Sequence, residues 1–450
     1  VASFSFRAGN ARKIARLPLY ALGRLVTLVT PRGSRWVFGC GAGIGDGPLE
    51  LWRVAAEHGR DAVWLTDDPS EARDAAALGI PTQRRSSLGG FWATARAGVI
   101  VVAYGLGDVN PYAVSRGVLG RPVVAQLWHG IPLKRIGLDA PETVRSPVAF
   151  AAPLISRALA ILYRMSSRRI DVLPAASHLV RGRLETAFGL PSDRVLVTGE
   201  PRVDALSRGT AEERRAGARA LIERLLPDLP AAADGETRLV LYAPTWRDGE
   251  ADPAVPTAAD WRAIDDALTR HDAVLLVRSH RLGAGDYAPP PGVQRVRTLG
   301  ADALPDVTPA LPGIDALITD YSSLAYDVAL VPLPVLFLAP DVPAYARRRG
   351  FYGAYREVAG DDVATTWAEL LPRLEALLGD AAVASEALGR ARALSERVHA
   401  FRDGRNAQRV YRAIAIREAA RRRTGPRPER TATTTQATTT QATTTGKAAG

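Results

Sequence analysis

Two rounds of short apolar runs alternating with helical stretches constrain this chain more than any other feature. The first round holds Trp36-Val-Phe38, Ala62-Val-Trp-Leu65, Val99-Ile-Val-Val-Ala103 and Val123-Val-Ala-Gln-Leu127, with a helical segment from Leu49 to His58 among them. The second holds Arg238-Leu-Val-Leu-Tyr242, Ala273-Val-Leu-Leu-Val277, Ala316-Leu-Ile318 and Pro334-Val-Leu-Phe-Leu338. Strands that alternate with helices form parallel sheets, because each return to the same direction needs a crossover. The pattern predicts an α/β chain of two Rossmann-like domains, over 31–205 and 236–400. The stretch 206–235 reads as a linker, since it ends in a run rich in Pro, Ala and Asp at 227–235. A helix is expected over 401–423. The tail 424–450 repeats Gln-Ala-Thr-Thr-Thr, has almost nothing to bury, and reads as disordered.

Charge narrows the partners. Lys and Arg number 58 against 47 acidic residues, a net +11 that favours anionic ligands such as nucleotides, phosphate polymers or acidic lipid surfaces. No nucleic-acid module or dense basic block with interleaved aromatics is present, so nucleic acid is not expected as a partner. The single cysteine, Cys40, excludes an internal disulfide and a cysteine-based metal cluster, which points to the inside of the cell. Arg24 interrupts the early apolar stretch Leu17 to Val29, and Arg157 interrupts Val148 to Tyr163, so neither reads as a leader or a spanning helix. Residues 11–29 do place Ile14, Leu17, Ala21, Leu25 and Leu28 on one helical stripe, with Arg12, Lys13, Arg16 and Arg24 elsewhere. Residues 1–30 are therefore expected to lie near a membrane, or to pack that stripe on the first domain. Pro18 must either start a helix or kink one.

Candidate chemistry sits at strand ends. Ile318-Thr-Asp-Tyr-Ser-Ser-Leu-Ala-Tyr-Asp327 reads as strand, tight turn, helix start. Unpaired N–H groups at such a tip suit a phosphate beside Ser322 and Ser323, although either serine can simply cap a helix. Trp128-His-Gly-Ile-Pro-Leu-Lys134 follows another strand: His129 can take a proton from a hydroxyl, Gly130 permits close approach, and Lys134 can neutralise phosphate. A structural histidine is the alternative. Tyr242-Ala-Pro-Thr-Trp-Arg-Asp248 and Val277-Arg-Ser-His280 complete the set, with Arg278 and His280 alternating to one side of an extended segment. Gly39-Cys-Gly-Ala-Gly-Ile-Gly-Asp-Gly47 departs from the dinucleotide fingerprint, since Asp46 stands where the third glycine belongs, and reads instead as a flexible loop facing a cleft.

Taken in order, Trp128 to Gly137, Gly199-Glu-Pro-Arg-Val-Asp204, Tyr242 to Asp248, Arg278-Ser-His280, Ile318 to Ser323, Arg349-Gly-Phe-Tyr352 and Asp403-Gly-Arg-Asn-Ala407 resemble the CDP-glycerol glycerophosphotransferases of teichoic acid synthesis. The resemblance implies a GT-B-like architecture with two Rossmann-like domains facing a cleft, an acceptor-side first domain and a nucleotide-binding second one. It also implies a last helix returning to the first domain and peripheral attachment at the cytoplasmic face of the membrane. The reaction implied is transfer of glycerol phosphate from CDP-glycerol to a lipid-linked glycerol phosphate acceptor. In that reading His129 is the general base and His280 with Arg278 stabilises the leaving phosphate. Ser322 and Ser323 bind it, Asp327 accepts ribose hydroxyls, and Asp320, Thr245 and Arg247 are second-tier site residues. Lys134 and Gly130 face the acceptor. No cofactor or metal site is expected, though Mg²⁺ can arrive with the donor. A GT-B glycosyltransferase using a nucleotide sugar, or a non-catalytic membrane-surface module binding anionic polymer, would look alike at this level.

Overall fold

The computed structural model describes residues 16–424 apart from 116, 147–150, 234, 246, 248–251 and 279–286. The first sheet contains β1 Trp36–Gly39, β2 Ala62–Thr66, β3 Thr82–Arg84, β4 Val99–Val102 and β5 Val123–Gln126, all parallel in the order β3-β2-β1-β4-β5. A parallel pair, β6 Leu173–Ala175 and β7 Val195–Val197, continues it through the bridge of Ala125 to Val172. The second sheet contains β8 Arg238–Ala243, β9 Ala273–Val277, β10 Val296–Thr298, β11 Ala316–Thr319 and β12 Val335–Phe337, parallel in the order β10-β9-β8-β11-β12. The two halves thus repeat one topology. Their inner strands are buried along their whole length, as Val99–Val102 and Ala273–Val277 are, which is why they read as continuous apolar runs. β3 and β10 lacked that signal because they are three-residue edge strands carrying Thr, Gln and Arg.

Three elements differ from, or decide between, the expectations. The stretch read as a linker holds the helix Ala211–Leu225, opened by a capping box of Thr210 and Glu213. It packs on the turn Thr308–Gly313, and its Arg219 pairs with Asp315 at 2.5 Å, so it belongs to the second domain's outer layer. At the N-terminus, Leu17–Leu28 is helical with Pro18 in its first turn, where a missing N–H costs nothing; residues 1–15 lie outside the described residues. That helix buries Gly23 and Thr27, whereas Leu17, Leu19, Leu22, Leu25 and Val29 are exposed. A Cβ on Gly23 would meet the Tyr112 carbonyl at 2.3 Å, so the side that packs is the one with no bulk. At the other end, Asn406–Thr424 returns to the first sheet and buries Ala407, Val410, Tyr411 and Ile414 against Trp36 and its neighbours.

The domains share a core. Ile131 and Leu133, which follow β5, pack in one buried cluster with Tyr321, Tyr326, Phe337 and Tyr345 of the second domain. Burial of that much aromatic and branched surface sets the domains' relative placement, since each such side chain contributes about 1.5–3 kcal/mol.

Candidate active site

In an open parallel sheet, ligands collect outside the carboxyl ends of the strands where the order reverses, here between β8 and β11. A cavity of about 290 Å³ lies there, lined by Pro244 and Thr245 after β8, Ser322 and Ser323 after β11, and Trp128 to Lys134 after β5. Tyr345 and Arg349 close it. Its size and mixed lining suit a polar small molecule or part of one.

His129 reaches the cavity through a strained turn. Trp128 has φ +63°, a conformation a bulky side chain adopts only when the surroundings hold it, and Gly130 has φ +126°. The imidazole stacks on Tyr104, with ring centres 4.4 Å apart, and lies tilted against the Trp128 ring at 4.0 Å. Its Nδ1 is buried with no hydrogen-bond partner. Burial, with the charges of Arg202 and Lys134, pushes its pKa down to about 3, so in the empty site the ring is neutral throughout the neutral range and a weaker base than a free imidazole. A Cβ on Gly130 would stand 3.0 Å from the Ser323 hydroxyl and 3.6 Å from Arg202 Nη1. The two domains therefore touch at that glycine.

On the second domain's side, Thr245 Oγ1 is buried without a partner, while its N–H donates to Asp320 Oδ1 at 2.9 Å. Ser322 and Ser323 both line the cavity, and the Ser322 hydroxyl accepts from Leu324 N–H at 3.2 Å. The helix they precede, Leu324–Asp327, has only four residues before it tightens into the 3₁₀ turn Val328–Leu330. Its dipole is correspondingly weak, so hydroxyls and cations must carry most of any phosphate binding.

Four expected site residues are placed differently. Asp327 is 1% exposed and accepts from Arg202 Nη1 at 2.7 Å, which leaves no open carboxylate for a ribose. Arg278 donates to the carbonyls of Leu304 at 2.8 Å and Pro305 at 3.1 Å, and does not line the cavity. Arg247 and Asp320 are buried together at 2.8 Å, and Arg247 also pairs with Asp341 at 3.1 Å beneath the rings of Tyr321 and Tyr345. They stiffen the cavity wall. His280 lies outside the described residues, as do Ser279, Trp246 and Asp248. Lys134 and Gly130 are in the lining, as expected. The 39–47 segment, expected as a flexible loop facing a cleft, starts in β1 and ends in the first turn of the helix Asp46–Glu57, and a Cβ on Gly45 would lie 3.7 Å from the Asp306 Cβ of the second domain. Among the described residues, no group of three or more His, Cys, Asp or Glu is placed to hold a metal ion.

The sequence pattern of the family described as CDP-Glycerol:Poly(glycerophosphate) glycerophosphotransferase matches residues 42–416. The chain belongs to this family. A teichoic acid glycerol-phosphate transferase of Staphylococcus aureus is 26% identical over 304 residues, which cover 65% of this chain and 71% of that one. A teichoic acid poly(glycerol phosphate) polymerase of Staphylococcus epidermidis is 30% identical over 238 residues, 52% of this chain but only 30% of the relative's own length. The solved structure of the wall teichoic acid polymerase TagF superposes with a TM-score of 0.70 at 21% identity, over 92% of this chain and 96% of that one. Its likeness shows the GT-B-like fold.

Within this family member the sequence pieces at 199–204 and 403–407 meet, although about 200 residues separate them. Asp204, fully buried, accepts from the N–H groups of Asn406 at 2.9 Å and Ala407 at 2.8 Å, and so caps the returning helix. Asn406 Nδ2 donates to the Glu200 carbonyl at 3.1 Å. Gly199 has φ +74°, and a Cβ there would fall 2.0 Å from Asn406 Oδ1, so only glycine fits.

Arg202 was not singled out by sequence reasoning. It lies beneath the cavity floor, held by Asp327 and, at 3.3 Å, by Asp46 in the first turn of the helix Asp46–Glu57. Burial alone would lower its pKa, but the carboxylates of Asp327, Asp46 and Glu200 outweigh burial and keep it charged. Both Glu200 carboxyl oxygens are buried with no partner, and burial pushes that pKa up to about 8, Asp327 and Asp46 adding to the effect. The Gly-Glu-Pro-Arg-Val-Asp run was the available signal, but nothing local in it reveals which cavity its arginine supports.

Proposed function

We propose that this chain transfers glycerol phosphate from CDP-glycerol to the terminal hydroxyl of a lipid-linked glycerol phosphate acceptor. The observation that carries the reading is the facing of His129, from the first domain, with Thr245, Ser322 and Ser323, from the second, across one cavity in a member of this family. A TagF variant soaked with CDPG keeps the same overall fold, with a TM-score of 0.68 to this chain, and lends the donor its plausibility.

In this mechanism the acceptor hydroxyl gives its proton to His129 as its oxygen attacks the glycerol-bearing phosphorus. One O–P bond forms, the bond from that phosphorus to the CMP oxygen breaks, and CMP leaves with the electron pair. Ser322, Ser323 and Thr245 hold the donor phosphates, and His280 stabilises the leaving group. A dianionic pyrophosphate beside His129 offsets the charges of Lys134 and Arg202 and makes the imidazole a stronger base than in the empty site. Metal dependence follows from a Mg²⁺ titration against chelator.

The acceptor is met at an anionic membrane surface, at its cytoplasmic face. No described helix is long and apolar enough to cross a membrane. Instead, Leu19, Leu22 and Leu25 of the first helix and Val29 just after it are exposed, as are Leu154, Ile161 and Met165 of the helix Ala152–Ser167. Beside the first helix, Val118, whose N–H donates to the Leu28 carbonyl at 2.7 Å, has a side chain 74% exposed. Exposed apolar side chains on helices that also carry or adjoin Arg16, Arg24 and Arg157 suit contact with an anionic interface.

The test is CMP release by purified protein given CDP-glycerol, CDP-ribitol or UDP-sugars with a glycerol phosphate acceptor. Turnover with CDP-glycerol supports the reading. Turnover with a UDP-sugar alone, or with none, overturns it in favour of a glycosyltransferase or a binding module.

A further inference from the structure

Tyr104 and His129 stand just beyond neighbouring strands. β4 and β5 pair in parallel with Val102 opposite Gln126, so the chain leaves the sheet twice side by side and brings both rings to one place. There they stack, with centres 4.4 Å apart and planes 16° from parallel. Trp128, tilted by 38° at 4.0 Å, adds its ring to the same imidazole and is itself held by an edge contact with Phe188 at 5.1 Å. Tyr104 is fixed through its backbone: its N–H donates to Asp108 Oδ2 at 2.7 Å, and its carbonyl accepts from Gln126 Nε2 at 3.3 Å. A Cβ on Gly41 would stand 3.3 Å from Tyr104 Cδ2, so a side chain there would press on the ring. Tyr104 is not part of the cavity lining, whereas His129 is, so any part it takes in the reaction passes through the imidazole.

A general base that takes a proton becomes a cation, and that charge must be stabilised. A histidine base is ordinarily oriented and stabilised by a carboxylate or carbonyl on its second ring nitrogen. Nδ1 of His129 is buried without a hydrogen-bond partner, and the charged side chains that act on the ring, Arg202 and Lys134, are both positive. What the imidazole does meet is the face of a tyrosine, where the quadrupole of the ring is negative. A cation within about 6 Å of such a face is attracted to it, most strongly where water is excluded. Resting on the general-base reading above, we propose that Tyr104 is a positioning residue of this reaction: its ring fixes the plane of the His129 imidazole and stabilises the imidazolium formed when the acceptor hydroxyl gives up its proton. Because Nδ1 is buried, Nε2 receives that proton, and the proton of the neutral ring stays on Nδ1. An aromatic face thus takes the place of the usual carboxylate.

Single-turnover CMP formation from CDP-glycerol and a glycerol phosphate acceptor, measured across substitutions of Tyr104, tests this. Tyr104→Leu keeps apolar bulk but removes the π face, and its rate should fall about tenfold or more while CDP affinity by calorimetry is unchanged. Tyr104→Phe should recover most of that loss. Fluorinated phenylalanines in place of Tyr104 keep the shape and draw electrons from the face, so each added fluorine should slow the step further, a trend that packing alone would not give. A flat rate across the fluorinated series, or Tyr104→Leu as fast as Tyr104→Phe, overturns the assignment. The general-base reading fails separately, on a His129→Ala variant that keeps its rate; a slow His129→Ala beside a flat fluorinated series retains the base and removes Tyr104. Nitrogen NMR of labelled histidine in the CDP complex needs no turnover. There the His129 pKa should lie about one unit lower in Tyr104→Leu than in wild type, and equal values also overturn the proposal.

Discussion

Arg202 Nη1 donates to Asp327 Oδ1 at 2.7 Å, joining the first domain to the second directly beneath the cavity that holds His129. The side chains are 12% and 1% exposed, so each charge depends on the other to stay out of water. Removing one partner of such a pair costs about 3–5 kcal/mol, because the survivor is left buried and uncompensated. Arg202→Met and Asp327→Asn should each lower the unfolding free energy by about that much, measured by chemical denaturation. The double variant should lose less than the sum. Additive losses would show that the two groups are not coupled.

Glu200 makes stability depend on pH in an identifiable window. Its ordinary pKa of 4.5 is raised to about 8 in the folded protein, so between those values the folded state holds a proton that the unfolded chain has released. Stability from this group is complete below the lower value and is lost as pH rises toward the upper one. Glu200→Gln keeps the shape and removes the proton. Melting curves of the two proteins should therefore diverge from pH 5 to 9, with the variant gaining relative to wild type as pH rises. Parallel curves across that range would disprove the assignment.

His129 titrates in the opposite sense. With its pKa lowered from 6.5 to about 3, the free enzyme keeps a neutral imidazole well below pH 6.5. The acid limb of kcat/KM should lie below that of an ordinary histidine. His129→Ala should cut kcat by about 10²–10⁴-fold while CDP binding is retained, since loss of a general base affects the step and not the donor. A variant of near-normal kcat would remove His129 from the chemistry.

Membrane attachment can be probed without disturbing the packed side of the first helix. Leu22→Ser with Leu25→Ser changes two exposed side chains and leaves Gly23 and Thr27 in place. Each leucine that inserts contributes about 1.5–3 kcal/mol, so sedimentation with anionic liposomes should fall sharply while activity on a short soluble acceptor persists. Unchanged sedimentation would assign the contact to the helix Ala152–Ser167.

Gly199→Ala should destabilise the returning helix, because its Cβ would fall 2.0 Å from Asn406 Oδ1 at a φ of +74°. Strain of that kind costs about 1–3 kcal/mol before the clash is counted. A melting temperature equal to wild type would mean that Asn406 moves aside freely.

The sequence by itself determined the two parallel sheets, the strand ends that carry the cavity, and the membership of His129, Gly130, Lys134, Thr245, Ser322 and Ser323 in its lining. These follow from local periodicity and from the rule that parallel strands present ligands at their carboxyl ends. Tertiary structure alone decided the partners of the long charged side chains. Asp327 meets Arg202 across 125 positions and Arg278 meets carbonyls more than 20 residues away, separations at which no local pattern operates. It also decided which side of the first helix packs. Hydrophobic spacing pointed to a leucine stripe, but close approach to Tyr112 selects the smallest side chain, so Gly23 went inward and the leucines stayed outside. Short polar edge strands and the helix 211–225 were missed for the same reason: their burial is one-sided and set by neighbours distant in the chain.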